Sequence, residues 1–383
     1  MARALYIHWP FCLSKCPYCD FNSHVRASVD HDAWQEALLR DMAYEAERAG
    51  GEPLSSIFFG GGTPSLMPPA LVSALLSEAE RLWGFAEQIE IALEANPTSV
   101  ETAKLANLAV AGINRVSLGI QSLDDEALLF LGREHDAEQG LRALDVAQSH
   151  FPRVSFDLIY ARPGQTLDAW RDELVRALSF GTQHLSLYQL TIEPGTRFAT
   201  EQRRGRLVPL DDDACADMFA LTDELTRAAD LPAYEISNHA APGEESRHNL
   251  TYWRYQDYVG IGPGAHGRRG GCATVRHKKP ENWLTSVREY GHGTAEQRAL
   301  PRHEQATEAL LMGLRLREGV DLEALSRRFQ LAESTMIDRA NFERYRAHGF
   351  VERDGTRIMA TRRAMPILNS LLQELVADDL VAA

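Results

Sequence analysis

Six short segments of β type recur through the first half of the chain, and the stretches between them are patterned as amphipathic helices. The segments are Leu5-Tyr6-Ile7-His8, Ser56-Ile57-Phe58-Phe59, Ile89-Glu90-Ile91-Ala92-Leu93, Arg115-Val116-Ser117-Leu118, Val154-Ser155-Phe156-Asp157-Leu158-Ile159 and Leu185-Ser186-Leu187-Tyr188-Gln189-Leu190. Each is rich in β-branched, aromatic or leucine residues, and glycine, proline or asparagine lies close to most of them. Trp34, Leu38 and Met42 form one helical stripe at i, i+4 spacing, and Trp170, Leu174 and Leu178 form another. Strand, helix and strand repeated six times imply right-handed crossovers and a parallel sheet. Through about residue 195 that sheet is a three-quarter barrel or a doubly wound sheet. In either, chemistry gathers at the carboxyl ends of the strands. The notable residues fall there. A cysteine-rich loop follows the first strand, Gly60-Gly61-Gly62-Thr63 the second, and Glu94-Ala95-Asn96-Pro97 closes the third. Gln121 follows the fourth and Asp157 lies within the fifth. One shared site is expected.

Residues 196–300 are less regular, with Tyr234-Glu235-Ile236-Ser237 and Asp257-Tyr258-Val259-Gly260-Ile261 as candidate strands on either side of His248-Asn249-Leu250-Thr251-Tyr252-Trp253. From Pro301 the pattern turns helical, over Ala306 to Arg317, Leu322 to Phe329 and Thr335 to His348. A hairpin with a two-residue Asp354-Gly355 turn follows, and then a last helix from Met365 to Val376. The expected division is a core over 1–195, an extension of it over 196–300, and a winged-helix-like unit over 301–383.

"HWPFCLSKCPYCDF", residues 8–21, holds three of the five cysteines; Cys215 and Cys272 are remote. No apolar run reaches the roughly 18–20 residues of a membrane span, and the start turns polar too soon for a secretory signal. A cytoplasmic protein is expected, where thiols stay reduced and a cysteine cluster reads as a metal or catalytic site. A structural zinc site wants four ligands, so His8, His24 or a distant cysteine would have to complete one. Three thiols around a four-iron cubane instead leave one iron open to a small molecule, where ordinary clusters take four. The net charge of −14, from 54 acidic and 40 basic side chains, argues against a general grip on nucleic acid.

C-x3-C-x2-C with Tyr18 before the last cysteine resembles the radical SAM signature. "FFGGGTPS", "SLGIQSL", "FDLIYARPGQT", "LYQLTIEPGT" and "HNLTYW" narrow the resemblance to the branch that contains oxygen-independent coproporphyrinogen III oxidase and the HemW heme chaperones. The oxidase carries a further cysteine two residues after the third, and a longer N-terminal extension. Here Phe21 fills that position and eleven residues precede Cys12, which is similar to the HemW form.

The resemblance implies a partial (β/α)6 TIM-like barrel of α/β class with a smaller C-terminal winged-helix-like domain. It implies a [4Fe-4S] cluster on Cys12, Cys16 and Cys19, and S-adenosylmethionine (SAM) held at its amino group by Gly61, Gly62 and Thr63. Glu94 would meet the ribose hydroxyls. Gln121, Arg133 and Asp157 match positions that contact a second SAM in the oxidase, and Tyr6 and Tyr18 match other SAM-contacting positions. His248, which opens "HNLTYW" with Tyr252 and Trp253 close behind, is a candidate heme contact. The implied function is heme transfer to apo-hemoprotein acceptors, with an external electron donor and no nucleic acid. A coproporphyrinogen III oxidase and a zinc-binding interaction protein are the rival readings. One departure from the family pattern stands out. Ala161-Arg162 replaces the usual Gly-Leu before Pro163-Gly164, which puts a bulky cation near the site's rim.

Overall fold

Strand β1 (Ala4–Trp9) lies in the middle of an eleven-stranded sheet, although it comes first in the chain. The computed structural model describes residues 4–26, 28–50 and 52–377. After the short strands β2 (Phe11–Cys12) and β3 (His24–Val25) come β4 (Leu54–Gly61), β5 (Phe85–Ala95), β6 (Arg115–Gln121), β7 (Arg153–Tyr160) and β8 (His184–Gln189). These five pair in parallel in chain order outward from β1, as the six-fold repeat predicts. Strand β9 (Asn238–Ala240) closes that edge antiparallel to β8. On the other side of β1, β10 (Tyr258–Ile261) joins in parallel. It is followed by the antiparallel β11 (His266–Arg269), β12 (Cys272–Arg276) and β13 (Thr294–Ala299).

Alternation along β1 assigns its two faces. Leu5, Ile7 and Trp9 are buried with Trp34, Leu38 and Met42 of the helix His31–Ala49. Tyr6 and His8 face the barrel interior, where Tyr6 meets Phe58 and His248. The interior is plugged at the amino ends of the strands by the helix Arg247–Trp253. Glu90 of β5 holds this plug by accepting the His248 N–H (3.1 Å) and the Ser246 hydroxyl (3.4 Å). Arg153 (2.7 Å) and Arg115 (3.3 Å) neutralise the same carboxylate. Each of these polar groups thus has a partner, the condition for burying it without a large penalty.

The candidate strand Tyr234–Ser237 is not one. The Glu235 carboxylate accepts the N–H groups of Ile236 (2.8 Å) and Ser237 (3.2 Å), and this bend takes donors that a sheet ladder would need. At the C-terminal end, β14 (Val320–Asp321), β15 (Val351–Asp354) and β16 (Arg357–Ala360) form a three-stranded sheet. Helices pack on it around a second core of Leu310, Phe329, Phe342, Ile358 and Leu372. The hairpin turn is one residue later than expected. Asp354 pairs with Arg357, which leaves Gly355-Thr356 as the loop, with Gly355 at φ +57°. The helix expected over 335–348 is broken, because Ile337 bridges to Val376 and Asp338 caps a new helix, Arg339–Ala347.

One buried ion network ties the two sides of β1 together. Arg276 of β12 reaches Asp41 (3.4 Å) and Glu45 (2.7 Å) on the helix His31–Ala49, and Arg269 of β11 also pairs with Glu45. Asp41 further accepts the N–H of Gly262 (3.2 Å) and of Gly293 (3.0 Å).

Candidate functional site

The cysteine loop leaves β1 at Pro10 and is closed at its far end by the parallel pairing of β2 with β3. The His24 N–H donates to Pro10 O (2.7 Å). Within it, the Cys19 N–H to Cys16 O bond (3.2 Å) makes a turn through Pro17-Tyr18. Three outside contacts brace it. Pro17 O accepts the Phe198 N–H (3.0 Å), and Gly132 lies so close that a Cβ there would stand 2.7 Å from the Pro17 ring. Asn22 spends both amide protons on the carbonyls of Pro263 and Lys278, at 2.9 Å each. A loop of this length is ordered only where such contacts offset its entropy.

Cys12, Cys16 and Cys19 line one end of a cleft at the carboxyl ends of the strands. Among the described residues no three His, Cys, Asp or Glu side chains converge closely enough to hold a single ion. The thiols surround a larger space. Burial pushes the Cys12 and Cys19 thiols up, and the neighbouring thiols push each further. A positively charged group among them would reverse that crowding. The donor set therefore fits an iron–sulfur cluster with three protein ligands.

The glycine run forms the next wall. Gly61 has φ +112°, and a Cβ on it would meet the His8 ring at 2.5 Å. A Cβ on Gly62 would stand 2.7 Å from Phe11 O and 2.8 Å from the Pro10 carbonyl carbon. Backbone cannot swing aside as a side chain can, so Gly62→Ala is expected to cost about 1–3 kcal/mol of overpacking strain. It should also displace the cysteine loop. Equilibrium urea unfolding of the purified protein measures the first effect, and the yield of cluster after anaerobic reconstitution the second. Thr63 is fixed by Asn96, whose amide donates to its hydroxyl (3.2 Å). The amide oxygen of Asn96 accepts from Arg133, which also donates to Gly119 O (2.8 Å) and to Cys16 Sγ (3.3 Å).

Opposite lie two carboxylates. Glu94 accepts the Gly61 N–H (3.3 Å) and Asp157 accepts the Ser117 hydroxyl (3.0 Å). Burial, with Asp157 adding repulsion, pushes Glu94 up to about 8. Burial also lifts Asp157 to about 6 against the bonds from Ser117 and Ser186. A carboxyl raised in the folded state holds its proton there and releases it at lower pH once unfolded. The ligand-free protein should therefore lose stability as pH rises from about 4 toward 8. Glu94→Gln should flatten that slope in denaturant titrations at stepped pH. Beside the pair, Gln121 has φ +72° and its buried Oε1 has no partner among the described residues; Arg133 Nε is likewise unpaired. Buried polar atoms without partners are rare, and here they line a cleft with two half-buried carboxylates. This is the polar lining that an amino- and hydroxyl-bearing ligand such as SAM requires.

Of the expected residues, Cys12, Cys16, Cys19, Tyr18, Gly61, Gly62, Thr63, Glu94, Gln121, Arg133 and Asp157 share this cleft. Tyr6 does not line it. The ring lies one layer below, where its hydroxyl bonds His8 Nδ1 (2.9 Å) and its edge packs under Gly60. His248 is a correction. It sits in the barrel plug, buried, with Nδ1 on the Ser56 hydroxyl (3.1 Å), Nε2 on the Tyr252 hydroxyl (2.6 Å), and its face on Phe58 (4.9 Å). Neither nitrogen is free for iron, and burial lowers its pKa to about 3. Arg162 is a second correction. It turns inward to Glu173 (2.7 Å) and Ser122 (3.0 Å), so no cation is added to the rim. Sequence reasoning missed Asn22 and the buried Glu101, which accepts the Ser65 hydroxyl and the Asn96 N–H (2.8 Å). Neither belongs to a periodic pattern; both partners of Asn22 are distant in sequence, as is Ser65 from Glu101.

The family model of the radical SAM superfamily matches residues 6–176, and that of the HemN C-terminal domain matches residues 300–367. The chain is 41% identical over 326 residues to mouse "Radical S-adenosyl methionine domain-containing protein 1, mitochondrial", covering 83% of this chain and 74% of that one. It is 42% identical over 267 residues to the protein named "Heme chaperone HemW" of Escherichia coli K12, covering 69% and 70%. The protein of the same name from Haemophilus influenzae is 35% identical over 387 residues, covering 98% of both chains. The solved structure of E. coli coproporphyrinogen III oxidase (HemN), described as a radical SAM enzyme, superposes with a TM-score of 0.81. It is 23% identical and covers 97% of this chain and 89% of that one, which establishes the shared fold.

Proposed function

Because the chain belongs to the HemW family of radical SAM proteins, we propose that it is a heme chaperone that binds heme and passes it to apo-hemoproteins. Cys12, Cys16 and Cys19 would hold a [4Fe-4S] cluster, and Gly61, Gly62, Thr63 and Glu94 the SAM bound at its open iron. The bound cluster supplies one-electron chemistry to SAM. This chain's own residues bind and orient. The Thr63 hydroxyl and the closely approached Gly61-Gly62 backbone would meet the amino acid end, Glu94 would accept ribose hydroxyls, and Gln121, Arg133 and Asp157 would offer polar contacts deeper in the cleft. Tyr18 packs near Phe198 (6.3 Å) over the cysteine turn. Among the described residues no helix is long and apolar enough to cross a membrane, and we place the protein in the cytoplasm with an external electron donor.

The observation that carries the reading is the set of three thiols at one cleft with both other cysteines elsewhere in the chain, and with Phe21 at the mouth. A phenyl group two residues after Cys19 fills space where the oxidase has a thiol. The test is heme transfer. Cluster-loaded protein, kept anaerobic with SAM and a reductant, is charged with heme and mixed with an apo-hemoprotein. Appearance of the acceptor's holo spectrum is expected, with no protoporphyrinogen from added coproporphyrinogen III. Turnover of coproporphyrinogen III at enzymatic rates would establish the oxidase instead.

A further inference from the structure

Three large apolar side chains of the cysteine loop stand in water: Leu13 is 50% exposed, Phe21 59% and Val25 49%. Exposed apolar groups gathered on one braced loop mark a contact surface. Leu13 and Phe21 also border the cleft, so the surface begins at its mouth. The clamp made by Asn22, the residue between Phe21 and Ser23, brings the turn 262–265 and Lys278 against this loop. A Cβ on Gly264 would stand 2.4 Å from the Asn22 amide nitrogen. The next element out of that turn is β11, and its first residue is His266.

His266 differs from the histidines buried in the barrel. His8, His135, His184, His239 and His248 are buried. His266 is exposed, and its ring makes no hydrogen bond among the described residues. It lies near enough to His8 to be felt electrostatically, as does His24 of the cysteine loop. Partial burial and the Lys278 ammonium lower its pKa, so the imidazole is neutral near pH 7 with a lone pair to give. The Lys278 charge is felt at His266, and the Lys15 charge is felt at His24 of the cysteine loop. An apolar face, a free neutral imidazole and two exposed ammonium groups occur together. Heme needs these three features: a flat apolar macrocycle, an iron that takes imidazole and carboxylates at one edge.

We propose that the heme carried by this protein docks outside the barrel, against Phe21 and Val25 at the cleft mouth, with His266 as a ligand to its iron and Lys15 and Lys278 facing its propionates. The inference rests on the heme-chaperone reading and moves the heme site from His248 to the rim beside the cluster. Phe21 then has a positive role, as the surface on which the macrocycle lies.

The test is a ferric heme titration of the cluster-loaded full chain, followed by absorbance and by EPR of the ferric heme. Wild type should show a nitrogen-ligated heme. His266→Ala, an exposed substitution, should lose that signature and bind at least about tenfold more weakly; free imidazole in the buffer should restore the signature. Phe21→Ser should weaken binding about tenfold while keeping the nitrogen signature, because it removes apolar contact and not the ligand. A wild-type heme spectrum retained by His266→Ala overturns the site while leaving the chaperone reading intact. No heme uptake by wild type overturns both.

Discussion

Alanine at Cys12, Cys16 or Cys19 is expected to abolish the cluster outright. The cleft contains no spare thiol among the described residues. Cys215 and Cys272 are absent from its lining, and the Ser23 hydroxyl beside Cys19 (3.8 Å) is a poor ligand for iron. With two thiols left, a cubane would have two irons without protein ligands instead of one. Iron and sulfide analysis after anaerobic reconstitution should fall from about four of each per chain to near zero in all three variants. Cys215→Ala and Cys272→Ala should retain the wild-type content. Full iron in a loop variant, or its loss in a remote one, would refute the ligand set.

The second large effect belongs to Arg276→Met. The side chain is completely buried between Asp41 and Glu45, also buried. Removing one partner of a buried charge set leaves the others uncompensated and costs about 3–5 kcal/mol, far more than a surface pair is worth. Guanidinium unfolding should show that loss without a change of fold in far-ultraviolet dichroism. The pH dependence follows from Glu45. Burial alone would raise its pKa, but the bonds from Arg269 and the charge of Arg276 outweigh burial and hold it low. A depressed carboxylate contributes stability above the usual carboxylate range and loses it as pH falls through its folded value. The network should thus persist through mild acid, the opposite of the trend expected from Glu94. If Arg276→Met unfolds at the wild-type midpoint, the network carries no net stability.

The six barrel strands were legible because each is apolar and bounded by turn residues, and the cleft because its residues lie at strand ends. Eleven of the thirteen ligand and contact positions named from the sequence line one cavity for that reason. What was not legible depends on which way a side chain turns. His248 and Arg162 carry groups suited to a site, yet one plugs the barrel floor and the other pairs with Glu173. Nothing in their local sequence distinguishes those outcomes. Ile89-Glu90-Ile91 read as an alternating strand, but that Glu90 anchors a plug 158 residues downstream is a tertiary fact. The break at Ile337 is similar, since the bridge to Val376 overrides helical periodicity.

The position of β1 has a consequence for biosynthesis. Its partner on one side is β4, but on the other it is β10, which begins at Tyr258. The carbonyls that clamp Asn22 belong to Pro263 and Lys278. Chains emerge from the ribosome amino end first, and contacts so distant in sequence form late. For most of its synthesis, then, the chain carries three reduced thiols on a loop that lacks its Asn22 clamp, at an open sheet edge. Metal loading must wait for release of nearly the first 280 residues, or be guarded until then. Arrested nascent chains should acquire protection of those thiols from alkylation in one late step, once the segment containing Lys278 has cleared the exit tunnel.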